Sequence, residues 1–299
     1  MTHERSLEVL AAGPLTLVED LGRPGLAAVG VGRSGAADRA AFRLGARLLA
    51  QGYDRAALEV TFGGLEVRAR GDLTVVLTGA PAPATVDGHG VGPQAPFVLP
   101  DGAVLRLGRP PVGLRTYVAV RGGVDVPPVL GSRSRDVLAG LGPEPLARGT
   151  LLPVGPAPAG FPLVDVAPAP EPSLDRLVLR AGPGPRTDWL ADPTALTRTT
   201  WTVSSRSDRV GIRLSGPPLI RADAWRDREL PSEGLVRGAL QVPAGGEPVL
   251  FLADHPVTGG YPVVAVVGSA DVDRAAQAVP GQPVRFLLVD RYLGARSPR

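Results

Sequence analysis

The hydrophobic positions of this chain fall in short runs. Leu73-Thr74-Val75-Val76-Leu77-Thr78, Val249-Leu250-Phe251-Leu252, Val263-Val264-Ala265-Val266-Val267 and Val284-Arg285-Phe286-Leu287-Leu288-Val289 are rich in β-branched side chains, which predicts buried strands. Leu177-Val178-Leu179 and Thr200-Trp201-Thr202-Val203 read the same way. Arg115-Thr116-Tyr117-Val118-Ala119-Val120-Arg121 alternates polar and apolar and stops at Gly122-Gly123, another strand. Val86-Asp87-Gly88-His89 carries an Asp-Gly hairpin signal. Pro100-Asp101-Gly102 reads as a turn with strands on both sides. Helical spacing is clearest from Asp38 to Ala50, where Asp38 can cap and Phe42, Leu44, Ala46, Leu48 and Leu49 supply the apolar positions. Gly45 weakens that helix. A second, short helix is expected from Asp271 to Ala278, ended by Pro280-Gly281.

Punctuation explains why the runs stay short. With 39 glycines and 33 prolines in 299 residues, long helices are disfavoured and many strands joined by turns are favoured. The expected fold class is mainly β, barrels or sandwiches with a few short helices. Residues 155–173, rich in Pro and Ala, read as a semi-rigid linker; the alternative is a long loop packed on one domain. The expected division is therefore 1–155, a linker at 156–173, and 174–292.

Composition narrows the chemistry. The formal charge is +3, and every basic residue apart from three histidines is Arg, because the chain contains no Lys. Arg and Asp/Glu are interleaved without a basic block, so nucleic acid is not an expected partner. Without Cys there is no disulfide framework, thiol nucleophile or thiolate metal site; without Lys there is neither Schiff-base chemistry nor a Walker loop. No His/Asp/Glu spacing suggests a metal site. No apolar h-region follows Met1 and no stretch reaches 18 apolar residues, so a cytoplasmic protein without membrane segments is expected.

Candidate site residues cluster among glycines from 19 to 64. Glu19-Asp20-Leu21-Gly22-Arg23-Pro24-Gly25 is followed by Gly30-Val31-Gly32-Arg33-Ser34-Gly35-Ala36-Ala37-Asp38 and Ala57-Leu58-Glu59-Val60-Thr61-Phe62-Gly63-Gly64. Glycine permits close backbone approach, and charged side chains on such turns suggest a site. Alternation puts Glu59 on the opposite face from Leu58 and Val60, lining a barrel mouth or facing solvent. Gly30 to Gly35 matches G-x-G-x-x-G, but it lacks a leading strand and an alternating strand–helix context. Asp20, Arg23 and Gly131-Ser132-Arg133-Ser134-Arg135-Asp136 are possible anion contacts or surface ion pairs. Of the three histidines, His3 and His89 fall in a terminus and at a hairpin tip. His255, in Asp254-His255-Pro256-Val257-Thr258-Gly259-Gly260-Tyr261-Pro262, follows a strand and suits acid/base work or a structural hydrogen bond.

A looser echo follows the linker. Ser204-Ser205-Arg206-Ser207-Asp208-Arg209-Val210-Gly211 parallels Ser34 onward, and Gly238-Ala239-Leu240-Gln241-Val242-Pro243 parallels Ala57 onward, as two related halves would. Together with Gly122-Gly123-Val124-Asp125-Val126-Pro127-Pro128-Val129-Leu130-Gly131-Ser132-Arg133-Ser134 and Thr258-Gly259-Gly260-Tyr261-Pro262, these stretches resemble one family over nearly the whole chain. It is the C-type subunit of 5-oxoprolinase, also known as allophanate hydrolase subunit 2, KipA or the biotin-dependent carboxyltransferase family.

The resemblance implies two tandem cyclophilin-like β-barrel domains. It also implies a subunit-B-like (KipI-like) partner, a subunit-A-like protein, and ATP shared with those partners for opening 5-oxoproline to glutamate. The alternatives are a carboxyltransferase component of a urea or acyl-urea carboxylase and a non-catalytic regulatory partner. There is no Met-Lys-Met, and a chain without Lys cannot carry covalent biotin. The expected catalytic residues are Glu59, His255 and Asp38. Substrate binding is expected from Arg23, Ser34, Ser207, Asp208, Arg209, Gln241, Thr258, Gly259, Gly260 and Tyr261, at a site either doubled or built where the domains meet.

Overall fold

The computed structural model describes residues 5–161 and 164–289 and divides into two compact units. One comprises residues up to 26 and 33–173; the other comprises 27–32 and residues from 174 onward. His3 lies outside the described residues.

The first unit contains β1 (Ser6–Ala12), β2 (Leu15–Glu19), α1 (Arg39–Leu48), β3 (Ala57–Thr61), β4 (Leu65–Arg70), β5 (Leu73–Gly79) and β6 (Ala84–Val86). It continues with β7 (His89–Val91), β8 (Phe97–Leu99), β9 (Val104–Leu107), β10 (Arg115–Val120) and β11 (Leu151–Pro153). Two sheets form, β11-β1-β4-β9-β6-β7 and β2-β3-β10-β5-β8. Their alternating inward positions, among them Val9, Val67 and Leu105 from one sheet and Leu58, Val75 and Val118 from the other, share one core. Asp87 and Gly88 both take positive φ, as the hairpin joining β6 to β7 requires.

The other face of the second sheet is covered by α1. Ala41, Phe42, Leu48 and Leu49 pack there against Ala57, Val76, Tyr117 and Ala119. Gly45 is explained by this crossing. A Cβ at that position would lie 3.2 Å from the Ala119 Cβ, so glycine lets the helix sit close to the sheet. Helix cover also corrects the expectation for Glu59, which neither lines a mouth nor faces solvent but is 1% exposed beneath α1.

The Pro/Ala-rich segment is laid along the first unit. Ala167 N–H donates to the Gln94 carbonyl and Ala169 N–H to the Gln94 side-chain oxygen, while Arg121 donates to the carbonyls of Pro158 and Gly160. Proline removes backbone donors, so such a segment is held by its carbonyls and its few remaining N–H groups.

The second unit contains β12 (Leu177–Pro183), α2 (Ala195–Arg198), β13 (Trp201–Val203), β14 (Gly211–Ser215), β15 (Glu233–Gly234) and β16 (Ala239–Gln241). Then come β17 (Val249–Phe251), β18 (Thr258–Gly259), β19 (Val263–Val267), α3 (Ser269–Ala275) and β20 (Pro283–Leu288). Seven strands close a barrel in the order β12-β19-β16-β17-β14-β13-β20, with β20 running parallel to β12 to complete it. Trp201 fills the interior and its indole N–H donates to the Leu196 carbonyl, fastening α2. The mainly β, barrel-type reading holds. Closure by hydrogen bonds is seen in the second unit, whereas the first encloses its core with two separate sheets.

The sequence echo fails at one of its two places. Residues after Asp38 form α1, whereas residues after Asp208 enter strand β14. The two stretches are alike in composition, but only the first has apolar residues at helical spacing with a sheet face to cover. The G-x-G-x-x-G stretch likewise follows a 3₁₀ turn at Ala27–Val29 rather than a strand. It has no dinucleotide-binding context.

Candidate functional site

In the first unit, strand register builds a buried polar cluster. Tyr117 on β10 lies opposite Glu59 on β3, and the tyrosine O–H donates to Glu59 Oε2 at 2.7 Å. The same oxygen accepts the Ala37 N–H at 2.9 Å, and Arg115 pairs with Oε1 at 3.3 Å. The Asp38 N–H donates to the tyrosine oxygen at 2.8 Å, while Asp38 Oδ1 accepts the Ala41 N–H and caps α1. Asp38 and Glu59 are thus brought together by Tyr117. The geometry makes this cluster a junction that fixes the start of α1 on the sheet; the cap alone is worth about 1 kcal/mol.

Burial, reinforced by the negative charges of Glu59 and Asp38, holds the Tyr117 hydroxyl well above the usual tyrosine range. Because the folded value is raised, Tyr117 adds stability that is fully present below about pH 10, the unfolded value, and is lost as pH rises further. Denaturant titrations above that pH should show stability falling less steeply in Tyr117→Phe than in the wild type. Equal slopes would remove Tyr117 from the linkage.

A second knot in this unit joins three segments. Asp20 Oδ1 accepts from the Gly22 N–H and from the hydroxyls of Ser132 and Ser134, and Oδ2 accepts the Arg133 N–H at 2.7 Å. Arg23 donates from Nε to the Val129 carbonyl and from Nη2 to the Ser134 carbonyl. Ser34 donates to the Arg135 carbonyl at 3.2 Å. Gly22 is required here, since a Cβ would lie 2.2 Å from the Arg33 carbonyl oxygen. Arg23 and Ser34 therefore grip the same 129–135 stretch.

In the second unit, Arg209 and Asp254 form a fully buried bidentate pair, Nε to Oδ2 at 2.9 Å and Nη2 to Oδ1 at 3.1 Å. Next to it, His255 Nδ1 lies 2.8 Å from the Pro256 carbonyl. A carbonyl only accepts, so Nδ1 is the donor in this contact and Nε2 is the ring nitrogen left for proton exchange. Asp208 is exposed and its Oδ1 accepts the N–H groups of Val210 and Gly211, while Ser207 exchanges hydrogen bonds with the Arg213 backbone. Both are turn-holding contacts. Gln241, on β16, donates to the Tyr261 carbonyl at 3.0 Å. Thr258 and Gly259 pair with Gly234 and Glu233 in a two-stranded ribbon, and Gly260 and Tyr261 follow it, exposed. Arg186 steadies that ribbon through an ion pair with Glu233, whose carboxyl is held below its usual range by the Arg186 hydrogen bond.

Sequence reasoning did not single out Tyr117, Arg115 or Asp254 as partners. Tyr117 and Arg115 share the Glu59-side face of β10 by alternation, which was the available signal. Among the described residues, no group of three or more His, Asp or Glu could hold a metal ion, and no helix is long and apolar enough to cross a membrane.

Residues 29–288 match the family described as carboxyltransferase domain, subdomain A and B. The chain is 38% identical over 286 residues to the C-type subunit of 5-oxoprolinase from Escherichia coli, covering 94% of this chain and 90% of that protein. It is 29% identical over 317 residues to urea amidolyase of Saccharomyces cerevisiae, covering 98% of this chain but 17% of that protein. The crystal structure of Kluyveromyces lactis urea amidolyase is similar with a TM-score of 0.89 at 28% identity, covering 97% of this chain and 19% of that one.

Proposed function

Because the chain belongs to the carboxyltransferase domain family, subdomain A and B, we propose that it is the C-type subunit of an ATP-dependent 5-oxoprolinase. The observation that carries this reading is correspondence along nearly the full length of a protein of that name, 90% of the E. coli subunit. In the proposed reaction, ATP transfers its γ-phosphoryl group to the lactam oxygen, releasing ADP. Water then adds to the activated carbon, the ring C–N bond opens and phosphate leaves, giving glutamate. Arginine and backbone N–H donors would hold the negative charge that develops. His255, oriented by its Nδ1 contact with the Pro256 carbonyl, is the proposed proton acceptor for the water. Glu59, beneath α1, and Asp38, capping its N-terminus, are proposed as positioning residues. The exposed Thr258–Tyr261 ribbon and turn are the proposed substrate contacts, backed by Gln241.

The test is 5-oxoproline-dependent ATP hydrolysis by the purified chain, alone and with the products of its neighbouring genes. The chain alone should be inactive and the reconstituted complex active. His255→Gln should lower the activity of the complex at least 100-fold with the melting temperature unchanged, the size expected for loss of a general base. Full activity in that variant would remove His255 from the site.

A second reading is favoured by the similarity to urea amidolyase: carboxyl transfer from a carboxybiotin carried on another domain or protein. Activity that needs a biotin carrier and bicarbonate instead of 5-oxoproline would establish it. A complex that assembles without either activity would point to a regulatory partner.

A further inference from the structure

We propose that Arg23 anchors an oxyanion-binding site in the first unit. Four arginines are buried among the described residues: Arg23, Arg115, Arg121 and Arg209. Burying a cation is costly unless it is paired or fully hydrogen-bonded. Arg115 has Glu59 and Arg209 has Asp254. Arg121 donates to the carbonyls of Leu49, Pro158 and Gly160 and lies over the Phe161 ring. Arg23, 2% exposed, reaches only two neutral carbonyls, and its buried Nη1 meets no acceptor among the described residues. The nearby carboxylate of Asp20 does not compensate it directly, because its oxygens are taken by four other donors.

A second observation concerns the backbone around this side chain. The Arg23 N–H donates to the Arg33 carbonyl and its Nε to the Val129 carbonyl. The residue after each of those carbonyls, Ser34 at φ 56° and Leu130 at φ 51°, takes a left-handed conformation that non-glycine residues rarely adopt. Such outliers persist where the surroundings impose them, and they gather at ligand clamps. Both turns that hold Arg23 are strained in this way, while one of its donors is left over.

A guanidinium with an unused N–H takes an oxygen of a carboxylate or phosphoryl group, which supplies both the missing acceptor and the missing charge. The site needs only this chain, so it stands or falls separately from the lactam-opening reading.

The experiment titrates the purified full chain with sodium phosphate and, separately, sodium acetate against chloride at constant ionic strength, following the melting temperature. Wild type should show a saturable rise of roughly 5–10 °C at a hundredfold excess over Kd. Arg23→Met should bind at least tenfold more weakly, with Arg23→Lys in between. A response to phosphate alone makes the ligand a phosphoryl group; a response to acetate as well makes it a carboxylate. No response to either anion, or an equal response in Arg23→Met, overturns the site. Should Arg23→Met fail to fold, side-chain NMR of the 15N-arginine wild type decides. A guanidinium signal that moves with the anion and is missing in Arg23→Lys supports the site, and signals that stay fixed overturn it.

Discussion

Glu59→Gln should unfold the first unit at a markedly lower temperature. The change removes the negative charge facing Arg115, which is 3% exposed, and turns one acceptor oxygen of a fully used carboxylate into a donor. Removing one partner of a buried pair costs about 3–5 kcal/mol, because the other charge stays buried. For a unit of this size, that is roughly a 10 °C drop in melting temperature. The start of α1 should loosen with it, since Glu59 binds the Ala37 N–H and the tyrosine that supports Asp38. Activity in the reconstituted complex should then follow the folded fraction at each temperature. If activity vanished while the melting temperature held, Glu59 would be catalytic rather than a positioning residue.

In the second unit, Asp254→Ala should cost a similar amount, about 3–5 kcal/mol, by leaving Arg209 buried without its bidentate partner. The informative comparison is the double variant Arg209→Met/Asp254→Leu. Apolar side chains of similar size often replace a buried ion pair with no net loss, so the double variant should recover most of the stability lost by the single one. Its recovery of activity is expected to be poorer. Asp254 immediately precedes His255, and its backbone N–H is tied to the Arg209 carbonyl at 3.1 Å, so repacking the pair shifts the segment that aims the imidazole. Chemical denaturation of the three proteins, alongside complex activity, separates the two effects. A double variant as unstable as the single one would show that the pair is not what Asp254 contributes.

Much of the local structure was legible in the chain. The Asp38 cap, the Asp87-Gly88 hairpin and strands such as β5, β10 and β19 each follow from residues within a few positions of one another. Pattern also showed that Glu59 faces away from Leu58 and Val60. It did not show what lies on that side. The reading of a mouth or a solvent face failed because α1, Arg39–Leu48, folds back over the sheet, a fact of chain path that alternation does not contain.

The partners of the charged residues were illegible for the same reason. Glu59 meets Tyr117 58 positions away, Arg209 meets Asp254 45 away, and Asp20 meets Ser134 114 away. Periodicity assigns a residue to a face, but the pairing order of the strands decides which residue stands opposite, and that order is set by burying all the apolar faces at once. Residue types and their spacing were enough for a mainly β chain of short strands, without thiol or lysine chemistry, that resembles one family over nearly its whole length. That Asp208 holds a turn, that Glu59 is sealed beneath a helix, and that Arg23 is buried with one donor unmatched among the described residues follow only from how the segments pack. Burial and satisfaction of a polar group depend on every segment packed around it.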